Sequence, residues 1–281
     1  NAVVEISNTL DSKVRVPVSQ AGGVWYVNGD DLYGLSDEES TITIPVKSDY
    51  DYTVDMPAWI TGEKVKEGYN FTLTENTTGN ARKGTVIFKS QKGTKEITFV
   101  QFGVNDIAGT YEATYSTFGE GDDWVSETVK IELLQDEENE AVFYADGLSS
   151  IRGVVLPLKF DGETYQLSAL NGQYLGFIES QKWYLYTIVR SEAGYVHADT
   201  SLSYPAIAEL DVDDEELMPF FPFKDKKGFS FTGETGTIKS FIDAIGVYVF
   251  ASKSPTFGNN NNLGYYDIFK GLSIKKIKAD H

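Results

Sequence analysis

Short runs in which polar and apolar residues alternate recur along almost the whole chain, cut at close intervals by Gly, Asn, Asp, Ser and Pro. Ser40 to Val46, Tyr52 to Val54, Phe71 to Thr74, Val86 to Phe88 and Ile97 to Val100 carry the pattern in the first part. Val125 to Leu134, Glu140 to Tyr144, Gly153 to Phe160, Thr164 to Ala169, Tyr174 to Ile178, Trp183 to Val189 and Val247 to Ala251 continue it. Successive side chains of a strand face opposite ways, so each run can bury one face and wet the other. Runs this short, with turn residues between them, call for an antiparallel all-β fold. The 17 Tyr, 17 Phe and 4 Trp favour the same answer, because aromatic side chains fit the pleated surface of a sheet.

At 281 residues the chain exceeds one ordinary module, and two domains are expected. The boundary is placed at Gly103-Val-Asn-Asp106, giving 1–104 and 105–281. Val3 to Ile6 and Lys13 to Val18 read as extra strands, either joined to the first domain or left from an earlier one. Val24 to Val27 reads as the opening strand of the module. Within the first domain, Ser90-Gln-Lys-Gly93 reads as the turn of a hairpin between Val86–Phe88 and Ile97–Val100. In the second, Phe160-Asp-Gly-Glu163 reads as a two-residue hairpin turn, since Asp-Gly tolerates the positive φ of a primed turn. One helix is expected around Ile238, Phe241, Ile242 and Ile245, which fall at the i, i+3, i+4, i+7 spacing of one face.

The order Val46-Lys-Ser48, Tyr52-Thr-Val54, Trp59-Ile60, Asn76-Thr-Thr78, Arg82-Lys-Gly84, a hairpin, then Val100-Gln-Phe-Gly103 resembles the BACON domain, the Bacteroidetes-associated carbohydrate-binding often N-terminal module, over about 24–103. Asp49 and Tyr52 stand where that family usually has Asn and Trp. The resemblance implies an immunoglobulin-like β-sandwich. From Ile107-Ala-Gly-Thr-Tyr111 onward the second domain loosely resembles a calycin or lipocalin, which implies a β-barrel or sandwich. The resemblance also implies an exported lipoprotein of a Bacteroidetes-type source, in the periplasm or on the outer face of the outer membrane. The chain opens at Asn1 and reads as a mature piece whose signal and lipid-bearing Cys lie upstream, so membrane contact is expected only through such an anchor.

A charge balance of 24 cations against 42 anions, −18 overall, repels phosphate backbones and anionic lipid surfaces, so nucleic acid is not an expected partner. Cysteine is absent, which removes disulfides, thiolate metal ligation and thiol catalysis. Histidine occurs only at His197 and His281. A multi-His metal site cannot be assembled from these, and no Gly-x-Ser-x-Gly elbow accompanies His197. A glycosidase needs only two carboxyls about 5 to 10 Å apart, but no motif selects a pair. Asp211-Val-Asp-Asp-Glu-Glu216 lacks the Gly and distal Glu of a calcium loop and reads as a solvated loop, and no metal or cofactor is expected.

Binding is the remaining chemistry. Neutral sugars are recognised by rings that stack and amides that hydrogen-bond hydroxyls. Phe257-Gly-Asn-Asn-Asn-Asn-Leu-Gly-Tyr-Tyr266 offers both, and Phe257, Asn260, Asn261, Tyr265 and Tyr266 are candidate contacts. Trp124, after an acidic Gly-rich loop, is another. In the first domain Tyr50, Tyr52 and Asn76 are candidates, although Asn76 also reads as a buried side-chain cap. Trp25, Trp59 and Trp183 read as core residues. Leu217-Met-Pro-Phe-Phe-Pro-Phe223 cannot be a central strand because of its prolines, and it reads first as buried. The expectation is a monomeric, non-catalytic surface protein that binds carbohydrate or glycoprotein. The alternatives are a structural or adhesion protein, with the first domain as spacer and the second binding a protein or a small apolar ligand, and a cryptic glycosidase.

Overall fold

The computed structural model describes residues 2–7, 13–18, 23–119, 123–233, 236–258 and 260–278. The expected turns at 8–12 and 21–22, part of the loop before Trp124, Asn259 and His281 lie outside these residues. The chain is all-β, and its only helical turn among the described residues is a short 3-10 turn at Val104–Asp106. Two compact units emerge, and the division is not a single cut. One contains Asn1–Tyr33, Glu39–Thr74 and Gly84–Phe99, and the other contains Gly34–Glu38, Glu75–Lys83 and Val100–His281.

The strands of the first part are β1 (Ala2–Ser7), β2 (Lys13–Val18), β3 (Trp25–Val27), β4 (Leu32–Leu35), β5 (Ser40–Ser48), β6 (Tyr52–Asp55), β7 (Ile60–Val65), β8 (Gly68–Leu73), β9 (Arg82–Ser90) and β10 (Gly93–Gln101). β1 and β2 pair with each other as a two-stranded sheet of their own. The others form two four-stranded sheets, β3-β5-β8-β7 and β4-β10-β9-β6. Alternation drives both. Ile44, Phe71 and Leu73 point inward from the first sheet, and Val86, Phe88, Ile97 and Phe99 from the second; all are fully buried. Phe71 meets Phe88 and Phe99 at ring separations of 5.8 and 5.6 Å, so the two sheets share one core, as in a β-sandwich.

The second part contains β11 (Gly109–Phe118), β12 (Trp124–Gln135), β13 (Val142–Asp146), β14 (Leu156–Asp161), β15 (Gln166–Leu170), β16 (Tyr174–Ile178), β17 (Trp183–Ser191), β18 (Val196–His197), β19 (Ser203–Ile207), β20 (Phe220–Pro222), β21 (Phe229–Gly233), β22 (Gly236–Ser240), β23 (Ile242–Phe250) and β24 (Asn262–Lys276). An antiparallel path runs β24-β11-β12-β13-β14-β15-β19. β20 pairs with β24, and bridges at Ala206–Phe223 and Glu209–Phe220 link its segment to that of β19, so the sheet curls back towards its start. Every second residue faces inward: Tyr111 and Ala113, Ile131 and Leu133, Phe143 and Ala145, Leu156 and Leu158, Leu167 and Ala169, Tyr204 and Ala206, Leu272 and Ile274 are all buried in one core. Side chains therefore fill the inside of the curl, as they do in small barrels.

β16, β17 and β23 extend the sheet beyond β24 as a wing. The helix expected at Ile238–Ile245 is absent, because this stretch is β22, a break at Phe241, and β23. β23 is buried on both faces, Ile245, Val247 and Val249 on one and Tyr248 and Phe250 on the other. A strand buried on both sides reads as a continuous apolar run, and helical spacing can be found in such a run by coincidence. The Asp161-Gly162 turn is also longer than expected. Asp161 Oδ1 accepts the N–H groups of Glu163 (2.9 Å) and Thr164 (3.4 Å), and the positive φ falls on Tyr165.

Gly246 is what lets β23 lie close to β24. A Cβ there would stand 2.2 Å from the Asp267 carbonyl oxygen and 2.9 Å from Ile268 Cα, both backbone atoms. Gly246→Ala is expected to cost about 3 kcal/mol through the forced shift of the strands. Gly34→Ala, whose Cβ meets nothing within 4 Å, should stay within about 0.5 kcal/mol of wild type. Paired urea unfolding curves check both.

Candidate functional site

An aromatic face covers one side of the wing. Opposite pairs across the strands, Tyr174–Tyr186, Phe177–Tyr184, Tyr184–Phe250, Tyr186–Tyr248 and Tyr248–Tyr265, place rings beside rings. Tyr174 lies 5.3 Å from Tyr186, Tyr186 5.7 Å from Phe250, and Phe177 4.6 Å from Tyr184. From the loop after β23, Phe257 closes onto Tyr248 (5.7 Å) and Phe250 (5.5 Å). The lower rings are tied down. The Tyr186 hydroxyl donates to the Lys253 carbonyl, and the Tyr265 hydroxyl donates to that of Ile188 (3.3 Å). Burial pushes both phenols above their ordinary pKa, so they stay neutral donors. The outer rings remain in water: Tyr174 is 48% exposed, Phe177 38% and Phe257 39%.

The expected Asn-rich loop thus contributes, but not as a set. Phe257 and Tyr265 meet around Tyr248, with Tyr265 largely covered. Tyr266 is on the opposite face of β24, 49% exposed and edge-on to Trp183 at 6.2 Å. Adjacent residues of a regular strand divide this way, and here the division holds although the register shifts between Tyr265 and Asp267. Asn261 is a structural residue: its amide donates to the carbonyls of Ser254 (2.8 Å) and Thr256 (2.9 Å) and so holds the loop that carries Phe257. Asn260 is exposed, with φ +59°. Tyr174 and Phe177 were missed as site residues, although their place in a short strand next to a turn marked an edge.

Trp124 stands apart, on the outer side of β12. It packs on Phe118 at 4.6 Å, and Lys270 Nζ and the Arg190 guanidinium sit 4.6 and 5.5 Å from its ring centre. Both cations also pair with Asp243, at 3.4 and 2.8 Å. In the first unit Tyr50 and Tyr52 are half-buried, and lysines lie over them: Lys92 at 5.2 Å and Lys64 at 4.8 Å. Those rings serve local cation–π contacts.

Asn76 cannot reach a ligand, because it is fully buried. Its amide donates to the Asn80 carbonyl (3.0 Å), Asp37 (3.4 Å) and Asp106 (3.4 Å), and its oxygen accepts from the Thr78 hydroxyl (2.7 Å). The reading of Asn76 as a cap describes it, and the reading as a contact does not. Around it Asp37 and Asp106, 4% and 0% exposed, form a buried acid pair. Burial first, and then the Asp37 carboxylate beside it, push Asp106 up to about 8. Lys276 Nζ completes the cluster by donating to the carbonyls of Gly79 (2.9 Å) and Asp106 (2.7 Å). The acidic loop 211–216 is likewise tied to protein, since Lys83 Nζ donates to the carbonyls of Val212 (2.7 Å) and Asp214.

His197 lies edge-on to Phe229 and Phe231 at 4.8 and 4.6 Å, and burial lowers its pKa. No group of three or more potential metal-holding side chains gathers among the described residues. No helix among them is long and apolar enough to cross a membrane.

No family model and no curated protein matches the chain. A crystal structure of a protein of unknown function from Bacteroides ovatus, at 1.55 Å resolution, is similar over 90% of this chain and 91% of that one, at 11% identity and a TM-score of 0.29. A likeness of that strength decides neither fold nor function.

Proposed function

We propose that this is a non-catalytic, exported surface protein that binds glycans or glycoproteins, and that the aromatic face of the wing is where it does so. The observation that carries the reading is the exposure of Tyr174, Phe177 and Phe257 on one continuous aromatic cluster. Exposed apolar surface of this kind costs solvation and is usually kept for a partner. Flat rings suit the C–H faces of sugars, and the adjoining loop adds exposed Ser252, Ser254, Thr256 and Asn260 as partners for hydroxyls. The BACON resemblance supports the same class of ligand and the exported location. The inward-facing side chains of the second unit pack into one core, which favours a surface site over a small apolar ligand held inside the curl. The acid pair Asp37–Asp106 is shut away from solvent, which speaks against its use on a glycosidic bond.

Each exposed ring should contribute about 1 kcal/mol or more to a stacked sugar, by analogy with other aromatic contacts. Tyr174→Ala, Phe177→Ala and Phe257→Ala combined are therefore expected to weaken glycan-array binding at least tenfold without unfolding the protein. Tyr266→Ala, on the other face, should leave it unchanged. Binding that survives the triple change, or an array silent for wild type, overturns the reading.

A further inference from the structure

A second site is suggested by the charges of the second unit. Several of its lysines find partners within the protein, as Lys83, Lys276 and Lys278 do with loop carbonyls and Glu216. Others do not, and three of those are exposed together on one loop. Lys224, Lys226 and Lys227 line a cavity of about 580 Å³ together with Gln166, Ser201 and Ser203. Among the described residues, none of the three has an ion pair or a side-chain hydrogen bond with the protein.

The loop that carries them is built rather than loose. Asp225 Oδ1 accepts the N–H groups of Lys227 (2.9 Å) and Gly228 (2.9 Å), and its Oδ2 accepts that of Ile242 (3.0 Å). Both carboxylate oxygens are thus turned to the backbone N–H groups that shape the turn, and the ammonium groups make no ion pair with them. Gly228 has φ +68°, and a Cβ there would stand 2.9 Å from the Ser240 carbonyl oxygen, so the turn needs glycine. The Lys224 N–H anchors the other end on the Pro205 carbonyl (2.7 Å). Glu209 and Asp225 also line the cavity, so its three lysines outnumber its two carboxylates, in a chain whose overall charge is −18. Three ammonium groups on one cavity wall attract an anion, and a pre-shaped loop lowers the cost of binding one.

We propose that this cavity binds the sulfate or carboxylate group of an acidic saccharide. The ammonium groups take the anion, while the hydroxyls of Ser201 and Ser203 and the Gln166 carbonyl face sugar hydroxyls, with Phe229 as an apolar wall. The saccharide assignment rests on the glycan-binding reading above, whereas the anion site does not.

Affinity electrophoresis in gels containing dextran sulfate, unmodified dextran or polyglutamate tests it. Wild type should be retarded by dextran sulfate and not by the other two. K224Q/K226Q/K227Q should lose at least tenfold in affinity, while K159Q/K182Q/K239Q, with the same change in charge at other exposed positions, should keep it. Equal loss in both triple variants would mean diffuse attraction and overturn the site. No retardation by dextran sulfate would also overturn it, and equal retardation by polyglutamate would overturn the saccharide assignment. The Tyr174, Phe177 and Phe257 variant separates the two proposals. It should still bind dextran sulfate, so failure on the neutral glycans of the array leaves this site standing.

Discussion

Lys276→Met should lower the thermal midpoint of the second unit by roughly 10 °C, the equivalent of about 3 to 5 kcal/mol for removing one partner from a buried charged cluster. Lys276 is only 6% exposed, and its Nζ holds the carbonyls of Gly79 and Asp106 at 2.9 and 2.7 Å. Methionine keeps much of the stem's volume, so the loss isolates the ammonium from the packing. Without it two carbonyls lose their donor, and the acid pair loses a positive charge that helps hold it. Calorimetry of wild type and variant at pH 6 reads the effect. A midpoint within 2 °C of wild type would show that water or the neighbouring chain replaces the ammonium at little cost.

The second large effect is on pH. Asp106 is raised in the folded protein to about 8 from an ordinary value of 3.8. The folded state therefore holds a proton that the unfolded chain has already released. Stability from this group is fully present below about pH 4 and drains away as pH rises through 8. Between pH 7 and 8.5 the expected loss is about 1 kcal/mol. His197 adds little in that window, because its lowered pKa leaves it neutral in the fold and an ordinary imidazole in the unfolded chain is already mostly neutral there. Asp106→Asn presents an amide where the protonated acid donates to Asp37, so it should fold and show a flat profile over the same range. Urea unfolding at pH 7 and 8.5 decides the matter: a wild-type curve that does not move, or a variant curve that moves as much, removes Asp106 as the titrating group. Acid should act through other groups. Asp136, Asp161 and Asp199 are held below the usual range, by the Tyr144 hydroxyl, by Thr164 and by the Ser201 N–H respectively, and their small contributions disappear as pH falls through those lowered values.

The Ser90–Gly93 hairpin was readable because everything that specifies it lies within a few residues: a strand to Ser90, a strand from Gly93, and turn residues between. The expectation failed where burial changed the meaning of a pattern. Ile238, Phe241, Ile242 and Ile245 satisfy helical spacing only because β23 is covered on both faces and so has no polar side to reveal its period. Asn76 could be suspected as a cap, but its partners Asp37 and Asp106 lie 39 and 30 residues away, and Lys276, which closes the cluster at Gly79, is 197 residues from it. The same holds for the candidate sites. Tyr174, Tyr248 and Phe257 become one face only through the order of β16, β17, β23 and β24, whereas the opposite facing of Tyr265 and Tyr266 is what the alternation of a regular strand suggests.

By itself, then, the sequence determined the all-β class, many of the strands and the faces their residues take, because alternation and turn chemistry act between near neighbours. The tertiary structure alone decided which strands pair, which aromatics stay in water, and which charged groups are buried together or left unpaired on a cavity wall. Those outcomes depend on contacts between residues far apart in the chain, where burial and desolvation outweigh any local preference.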